Sequence, residues 1–387
     1  MPDGRLLLVV PSGTSFLAFF QEVAVAWRDS GRAVAVATSA ELPGATAAGW
    51  PAGVERLHLP DLRGGSPMRL TTAARVLGAH VRSWRPSLVH AHFTAAATAL
   101  AVTGLPAGVA RLATFHGMHM SSRPGSGSLL ASLAERLAIR RMDHVWVLNA
   151  EDEEFLRRCG LGSRVSRLAA FGVGCDLERF DPNRFTASGR QAMRESLGIS
   201  QDADVVAFVG RRTAFKGFAT TVRAFQLIRS ARPAARLLLL GAGDRLHASG
   251  LTAAEARDLE NDPAVVDLGW QHDVSPALSI ADLVVFPSTR EGMPVNLMEA
   301  LAMGVPVVAS QTRGCRDIVD HGLNGVLVER CTVHDIAEAA VRLLVDRLLR
   351  EEMARTAFLS RQRFDRRSFM DAQLDAYETM LSTITCS

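Results

Sequence analysis

Hydrophobic positions in this chain come in short continuous runs rather than in alternation. In the first half these are Leu6-Leu-Leu-Val-Val-Pro11, Val34–Thr38, Val54–Leu59, Ser87–His90, Ala110–His116 and His144–Asn149. Leu6–Val10, free of polar interruption, predicts a strand buried on both faces, the pattern of a parallel sheet; the other runs, some with polar residues as in Val54–Leu59, read as further strands. Amphipathic segments lie between them, at about Phe16–Asp29 (ended by Gly31), Arg69–Trp84 and Leu129–Arg141. Val173 to Pro182 reads as the end of this first unit, and 183–203, polar and partly helical, as a linker. The alternation then restarts with runs at Val205–Val209, Leu237–Gly241, Val265–Leu268, Leu283–Phe286, Val307–Ser310 and Gly325–Val328. Helices are expected at Phe218–Arg229, Asp335–Arg347 and Arg350–Phe358. A last one, about Ser368–Ile384, has Phe369, Leu374, Tyr377 and Leu381 near helical spacing. Strands alternating with helices predict an α/β protein of two Rossmann-like, doubly wound parallel-sheet domains, 1–183 and 184–367, facing a cleft. Residues 368–387 add a C-terminal helix.

Composition narrows this picture. A length of 387 residues suits two domains, and a hydrophobic fraction of 48% fills two cores. No apolar run approaches the roughly 18 residues of a membrane span, and no signal-peptide pattern follows the N-terminus, so a soluble, cytoplasmic chain is expected. Five cysteines are scattered without a Cys-x-x-Cys, which indicates neither a disulfide framework nor a zinc site. A net charge of +3 is too small to argue for a nucleic-acid partner. Among 43 basic residues Lys216 is the only lysine. Codon usage accounts for an arginine bias; a lysine kept against it suggests a place for a compact point charge.

The candidate chemistry gathers at expected strand ends. Ser288-Thr-Arg-Glu-Gly-Met-Pro-Val-Asn-Leu-Met-Glu299 joins a buried strand to a helix, Leu297–Met303, closed by Gly304. That order puts Gly292, Met293, Pro294 and Val295 at a helix N-terminus, where free N–H groups favour phosphate. Glu291 stands before the helix and Glu299 within it. A second carboxylate beside a diphosphate would repel it, so Glu299 is expected to accept from hydroxyls, such as those of a ribose. Gly210-Arg-Arg-Thr-Ala-Phe-Lys-Gly217 is a basic loop after its own strand. Asp202-Ala-Asp204 precedes that strand and so lies at the edge away from a ligand. In the first half, Ser12-Gly13-Thr14-Ser15 is either a plain tight turn or a loop facing the cleft. His90, His92, His116 and His119 fall at or just past strand ends; any one alone reads as a structural histidine, but His116 is followed by Gly117, which permits close backbone approach. His90-Ala-His92 lacks an acidic or cysteine neighbour to complete a metal site. Residues 121–128 read as a flap over an acceptor or a mere connector.

Glu291-x7-Glu299 inside Pro-Ser-x-x-Glu-Gly-x-Pro, together with Gly210-Arg211 and Lys216-Gly217, resembles the signature of the retaining nucleotide-sugar glycosyltransferases of family 4, with the GT-B fold. Arg313-Gly-Cys-Arg316, Gly172-Val-Gly-Cys-Asp-Leu-Glu-Arg-Phe180 and Thr114-Phe-His-Gly-Met-His119 are similar to the branch that builds capsular and other cell-surface polysaccharides. Where many relatives have Asn-Gly-Val-Asp, this chain has Gly-Val-Gly-Cys-Asp. The resemblance implies a C-terminal helix that crosses back to the first domain, and a donor that is a nucleotide-diphospho-sugar, a UDP-sugar before others. It places Arg211 and Lys216 on the diphosphate and the Gly292–Leu297 backbone, Asn296 included, also on phosphate. Glu299 falls on the ribose, Glu291 on sugar hydroxyls, His116 beside the reacting sugar, and Gly13 and Gly210 in the donor site. It implies no metal and no cofactor, with fixed cations stabilising the departing diphosphate. The acceptor is a glycan, a lipid-linked glycan or a small molecule. With a lipid-linked acceptor, Arg82, Arg85, Arg136, Arg140 and Arg141 would touch the inner membrane leaflet; otherwise they are a solvated face. Two rivals remain: a nucleotide-sugar 2-epimerase of the same fold, and a non-catalytic sugar-nucleotide-binding scaffold.

Overall fold

The computed structural model describes residues 4–39, 49–62, 67–118, 120, 129–168, 172–244 and 247–385. His119 and the 121–128 segment lie outside them. The continuous apolar runs form two sheets in which every pairing is parallel. In chain order the first holds β1 (Leu6–Val9), β2 (Val34–Ser39), β3 (Glu55–Leu59), β4 (Leu88–His92), β5 (Ala110–Phe115), β6 (His144–Val147) and β7 (Val165–Arg167). The second holds β8 (Val205–Val209), β9 (Arg236–Leu240), β10 (Val265–Gly269), β11 (Leu283–Phe286), β12 (Val307–Ser310) and β13 (Gly325–Val328). The spatial orders are β3-β2-β1-β4-β5-β6-β7 and β10-β9-β8-β11-β12-β13. Each order reverses once, between β1 and β4 and between β8 and β11. Ligands of doubly wound sheets bind outside the carboxyl ends at such reversals. Central strands such as β1, β4, β8 and β11 are wholly buried, and the more polar β3 and β10 sit at edges.

The chain divides into two compact units, Met1–Val173 with Arg367–Ser387, and Gly174–Arg366. The division falls at Val173/Gly174 rather than at 183, because hydrogen bonds tie 175–181 to 361–366. Cys175 N donates to the Phe364 carbonyl at 2.6 Å and Arg366 N to the Cys175 carbonyl at 3.0 Å. Arg361 reaches the Leu177 carbonyl and Asp181. The terminal helix, Arg366–Thr385, sends the fully buried Tyr377 into the first unit, where it packs on Trp27 and Trp146 and bonds His90.

Three local expectations need correction. The helix expected at 16–29 starts at Gly13, capped by the Ser12 hydroxyl, and is two helices, Gly13–Phe19 and Gln21–Asp29. It breaks at Phe20 because that ring turns fully inward to stack on His92 at 3.9 Å. β4 runs on to His92, so His90 lies inside the strand, not at its end. The helices Phe93–Val102 and Ala150–Arg158 and the strand β7 were not expected. Phe93–Val102 is alanine-rich and largely buried, so no amphipathic period betrays it.

Candidate functional site

In the second unit four loops after strand carboxyl ends are pressed together by glycines. Gly241, after β9, has φ +127°, and a Cβ there would land on the Gly210 carbonyl after β8. Gly217, at φ +77°, lies against the Pro287 carbonyl after β11. Gly314, after β12, at φ +62°, lies against the Gly292 carbonyl. No side chain fits these three contacts, and the positive φ angles favour glycine in any case. The loops therefore form one platform around the β8/β11 reversal.

Two of the predicted residues meet on it. Lys216 Nζ donates to both carboxylate oxygens of Glu291, at 2.7 and 2.9 Å. The Ser288 hydroxyl donates to Glu291 Oε1 at 2.6 Å. Side-chain exposures of 20% for Lys216 and 7% for Glu291 make this a sheltered pair rather than a surface one. Arg313, buried, donates from Nε to the Glu291 carbonyl at 3.1 Å. Lys216 sits at the end of a short 3-10 turn, Ala214–Lys216, that Gly217 closes. Arg211 is on the same loop, its Nη1 2.5 Å from Asp244 Oδ2, to which His247 Nδ1 also lies at 3.2 Å. The half-buried Phe215 ring has Arg211, Lys216 and Arg290 within 5.3 to 6.0 Å of its centroid.

The helix Val295–Ala302 begins at this platform. Its N-cap is Pro294, it has no side-chain cap, and no acid lies in its first turn. Asn296 turns its amide back to donate to the Val209 carbonyl at 2.7 Å, which fixes the helix start against β8. Gly304, at φ +70°, closes the far end. Glu299, one turn in, is half-buried and makes no side-chain hydrogen bond among the described residues. Burial pushes its carboxyl up to about 7; Arg366 and Arg179 pull it down and Asp273 pushes it up. Asp204 is paired with Arg232 at 2.6 Å at the amino end of β8, on the opposite edge.

In the first unit Gly13 opens the helix after β1, and His92 ends β4 beside it. His116 follows β5; its Nε2 is 3.1 Å from His92 Nδ1. Phe93, with the unusual φ of +71°, lays its ring 4.3 Å from that of His116. Burial holds His116 neutral, pulled down to about 3, and holds His90 and His92 well below the usual histidine value. Buried Glu135 accepts from Thr94 Oγ1 and from Met120 N, at 2.9 and 2.8 Å, which steadies the chain beyond His116. Among the described residues no group of three or more His, Cys, Asp or Glu is placed to hold a metal. Predicted residues thus fall in both units: Gly13 and His116 follow β1 and β5 of the first, and Gly210, Arg211, Lys216, Glu291 to Leu297 and Glu299 gather in the second. Ser288, Asp244, Arg313 and Glu135 were not singled out in the sequence. Ser288 and Arg313 stood inside quoted motifs without a role of their own, Asp244 had its place behind Gly241-Ala-Gly243 at a strand end, and Glu135 carried no signal.

Two family models match: "Glycosyl transferase 4-like domain" over residues 18–174, and "Glycosyl transferases group 1" over residues 203–346. The chain is 27% identical over 282 residues to the Bacillus subtilis (strain 168) protein EpsD, covering 71% of this chain and 72% of that one. It is 33% identical over 222 residues to a D-inositol 3-phosphate glycosyltransferase of Saccharomonospora viridis, covering 54% and 49%. With an N,N'-diacetylbacillosaminyl-diphospho-undecaprenol alpha-1,3-N-acetylgalactosaminyltransferase of Campylobacter jejuni it shares 24% over 238 residues, covering 61% and 60%. For the last two relatives the match therefore spans less than two thirds of their length. Among solved structures, Anabaena Alr3699/HepE in complex with UDP and glucose superposes with a TM-score of 0.78 at 19% identity, covering 97% of this chain and 99% of that one. WaaG, a glycosyltransferase involved in lipopolysaccharide biosynthesis, gives 0.74 at 17% identity, covering 96% and 99%. Two parallel doubly wound sheets, a glycosyltransferase match on each, and this superposition over nearly the whole chain make it a member of the glycosyltransferases of GT-B fold.

Proposed function

We propose that the chain transfers a sugar from a nucleotide-diphospho-sugar to an acceptor hydroxyl, with retention of configuration and without a metal. The carrying observation is the β8/β11 platform, where Arg211, Lys216 and an uncapped helix N-terminus converge one turn away from the unbonded carboxylate of Glu299. Cations and helix amides suit a diphosphate that gains charge as the sugar leaves, and Glu299 suits ribose hydroxyls. UDP is put before other nucleotides because the HepE neighbour is described with UDP and glucose. Glu291 spends both oxygens on Lys216 and Ser288, so it anchors the lysine and meets sugar hydroxyls rather than attacking carbon. Retention then follows a front-side route. The bond from the anomeric carbon to the phosphate oxygen breaks, the acceptor oxygen bonds the same face, and its proton passes to the departing phosphate. Incubation with labelled sugar nucleotides tests this. Transfer or slow hydrolysis, undiminished in excess chelator, is expected. A C2 epimer would favour the epimerase, absence of any product a binding scaffold, and loss on chelation restored by magnesium a metal enzyme.

The acceptor is proposed to be a lipid-linked glycan of cell-surface polysaccharide synthesis, met at an anionic membrane face. On the helix Leu129–Arg141, Leu129, Leu133 and Leu137 are 76%, 54% and 39% exposed, at intervals that align them on one side. Arg140 and Arg141 are exposed at its end. An apolar stripe bordered by arginines is the pattern of a helix lying in a lipid headgroup layer. No described helix is long and apolar enough to cross a membrane.

A further inference from the structure

Arg211 and Arg212 are neighbours in the chain, but their guanidinium groups are held differently. Arg212 engages both oxygens of Asp267 in β10 through Nη1 and Nη2. Arg211 makes one side-chain hydrogen bond among the described residues, from Nη1 to Asp244 Oδ2 at 2.5 Å. Its side chain is 55% exposed and that of Asp244 11%, so the acid is the fixed end and the guanidinium the reaching one. The fold brings the two together by continuing the β8–β9 pairing past both strand ends. Gly210 N donates to the Leu240 carbonyl at 2.9 Å, Arg212 N to the Ala242 carbonyl at 3.0 Å and Ala214 N to the Ala248 carbonyl at 2.9 Å. Arg212 and Gly243 pair as in a parallel ladder. The close approach of Gly241 to Gly210 permits this register. The turn Gly241–Asp244 is therefore a template that sets an acid beside the first arginine of the basic loop, all within the second unit.

We propose that Asp244 is a positioning residue: it tethers Arg211 by one N–H, so that the other N–H groups of the fork are presented to the diphosphate of a bound sugar nucleotide. The role toward diphosphate rests on the donor reading above; the tether does not. A guanidinium carries five N–H groups in a rigid plane, so one bond to a carboxylate leaves four for an anion. A long, exposed side chain loses rotamer freedom on binding, and a tether takes that loss before the ligand arrives. Lys216 has its own acid in the same way, Glu291, so each platform cation is anchored separately. Phe215 supplies a wall for the tethered group. Its ring centroid lies 5.4 Å from Arg211 Cζ, and the His247 ring meets it edge-on at 5.2 Å. The Phe215 carbonyl accepts from Thr289 N at 2.8 Å and Ser288 Oγ at 3.0 Å, which fixes this residue to the loop after β11. His247 Nδ1, 3.2 Å from Asp244 Oδ2, holds the carboxylate from a second direction. Arg212, with Nη1 and Nη2 both engaged by Asp267, has no comparable reach.

The test is a double-mutant cycle on the full chain, read by turnover of UDP-glucose and by UDP affinity from calorimetry. Asp244→Ala should lower kcat about 10-fold to 100-fold, the scale of a displaced catalytic group. KM and UDP affinity should move only a few-fold, since Lys216 and the helix amides still hold the ground-state diphosphate. In an Arg211→Ala background the same change should lower kcat no further, because Asp244 acts through Arg211. Asp244→Asn keeps an oxygen for Arg211 Nη1 and should restore turnover to within a few-fold of the parent chain. Losses that multiply in the double variant, a parent-like kcat in Asp244→Ala, or an asparagine variant as poor as the alanine one overturns the proposal. A second readout needs no substrate: the side-chain 15N spectrum of arginine-labelled chain, with Arg211 assigned by Arg211→Ala. Rotation of the Arg211 guanidinium should be slow in the parent and fast in Asp244→Ala; fast rotation in the parent removes the tether. Should the alanine variant fail to fold, the parent spectrum and Asp244→Asn decide. If UDP-glucose and UDP do not bind at all, the donor reading fails, while the spectra still decide the tether.

Discussion

Lys216 shows why a single side chain matters here. It is the one lysine of the chain, and its ammonium touches both oxygens of Glu291 on a sheltered platform. Removing one donor aimed at developing charge costs about 100-fold to 1000-fold in turnover. Lys216→Ala should lose that much with the fold intact, and Lys216→Arg should recover little, since a planar fork is a poor substitute for a point charge between Glu291 and Phe215. Amine-directed labelling should modify Lys216 and the N-terminus, with UDP-sugar protecting the former; equal labelling with and without donor would remove it from the phosphate site. Glu299 gives a pH signature. Its carboxyl is raised to about 7 from an ordinary 4.5, chiefly by burial. A raised acid binds more protons folded than unfolded, so its contribution to stability is full below about 4.5 and is lost as pH rises through 7. Ligand binding runs the other way, because the ionised carboxylate is the stronger acceptor. UDP-glucose affinity should fall between pH 8 and pH 6, as calorimetry would read, and Glu299→Gln should flatten that slope. A parallel slope in the variant would take Glu299 off the ribose. Glu291, Glu299 and Lys216 were legible because their chemistry is local to a motif. Ser288 and Arg313 stood in motifs too, but their part in holding Glu291 was not legible, since a serine or arginine becomes a support only through what it folds against.

At the scale of elements, the site is set by how closely loops approach. Gly314 touches Gly292 with no room for a Cβ, and Arg313 ties the neighbouring carbonyl. Gly314→Ala should push the 291–293 turn off the platform. We expect a stability loss of about 1–3 kcal/mol, from the strained positive φ and the backbone clash, with UDP-sugar affinity falling more than the melting temperature alone explains. Affinity unchanged beside a lowered melting temperature would make this contact purely structural. Sequence periodicity read the strands of the second unit closely, since β8, β12 and β13 match the apolar runs residue for residue. It missed the break at Phe20, because an aromatic residue has no local reason to stop a helix; the reason is the imidazole of His92, distant in sequence.

For the molecule as a whole, the terminal helix belongs to the first unit's core. Tyr377 fills the space between Trp27 and Trp146 and closes the His90 hydrogen-bond chain. Tyr377→Phe should cost about 1–3 kcal/mol, because buried His90 Nδ1 is left without its hydrogen-bond partner. Deleting residues 367–387 should remove amide-exchange protection from β1, β4 and β5 while β8, β11 and β12 keep theirs; loss of both sets together would show the two units to fold as one. The exposed leucine stripe argues for binding at a surface. Each arginine near an anionic bilayer contributes about 1 kcal/mol, a contribution that salt weakens. Vesicles containing anionic lipid should co-sediment the chain better than neutral ones, and Leu133→Gln with Arg140→Gln should abolish the difference. No preference for anionic lipid would leave those residues a solvated face.

The sequence by itself determined the two doubly wound sheets, the strand ends at which chemistry gathers, and the phosphate-ready helix start after Pro294, because buried apolar runs and turn residues act within a few positions of themselves. It also determined which residue types were on hand: one lysine, two glutamates of the motif, a histidine before a glycine. Only the tertiary structure decided that Lys216 and Glu291, separated by 75 positions, meet as one ion pair, that Glu299 makes no side-chain hydrogen bond among the described residues, and that the terminal helix supplies Tyr377 to His90. It alone placed His92 against His116. Contacts between strands far apart in the chain follow from strand order, and strand order is set by packing two faces of helices onto a sheet, which no local pattern records.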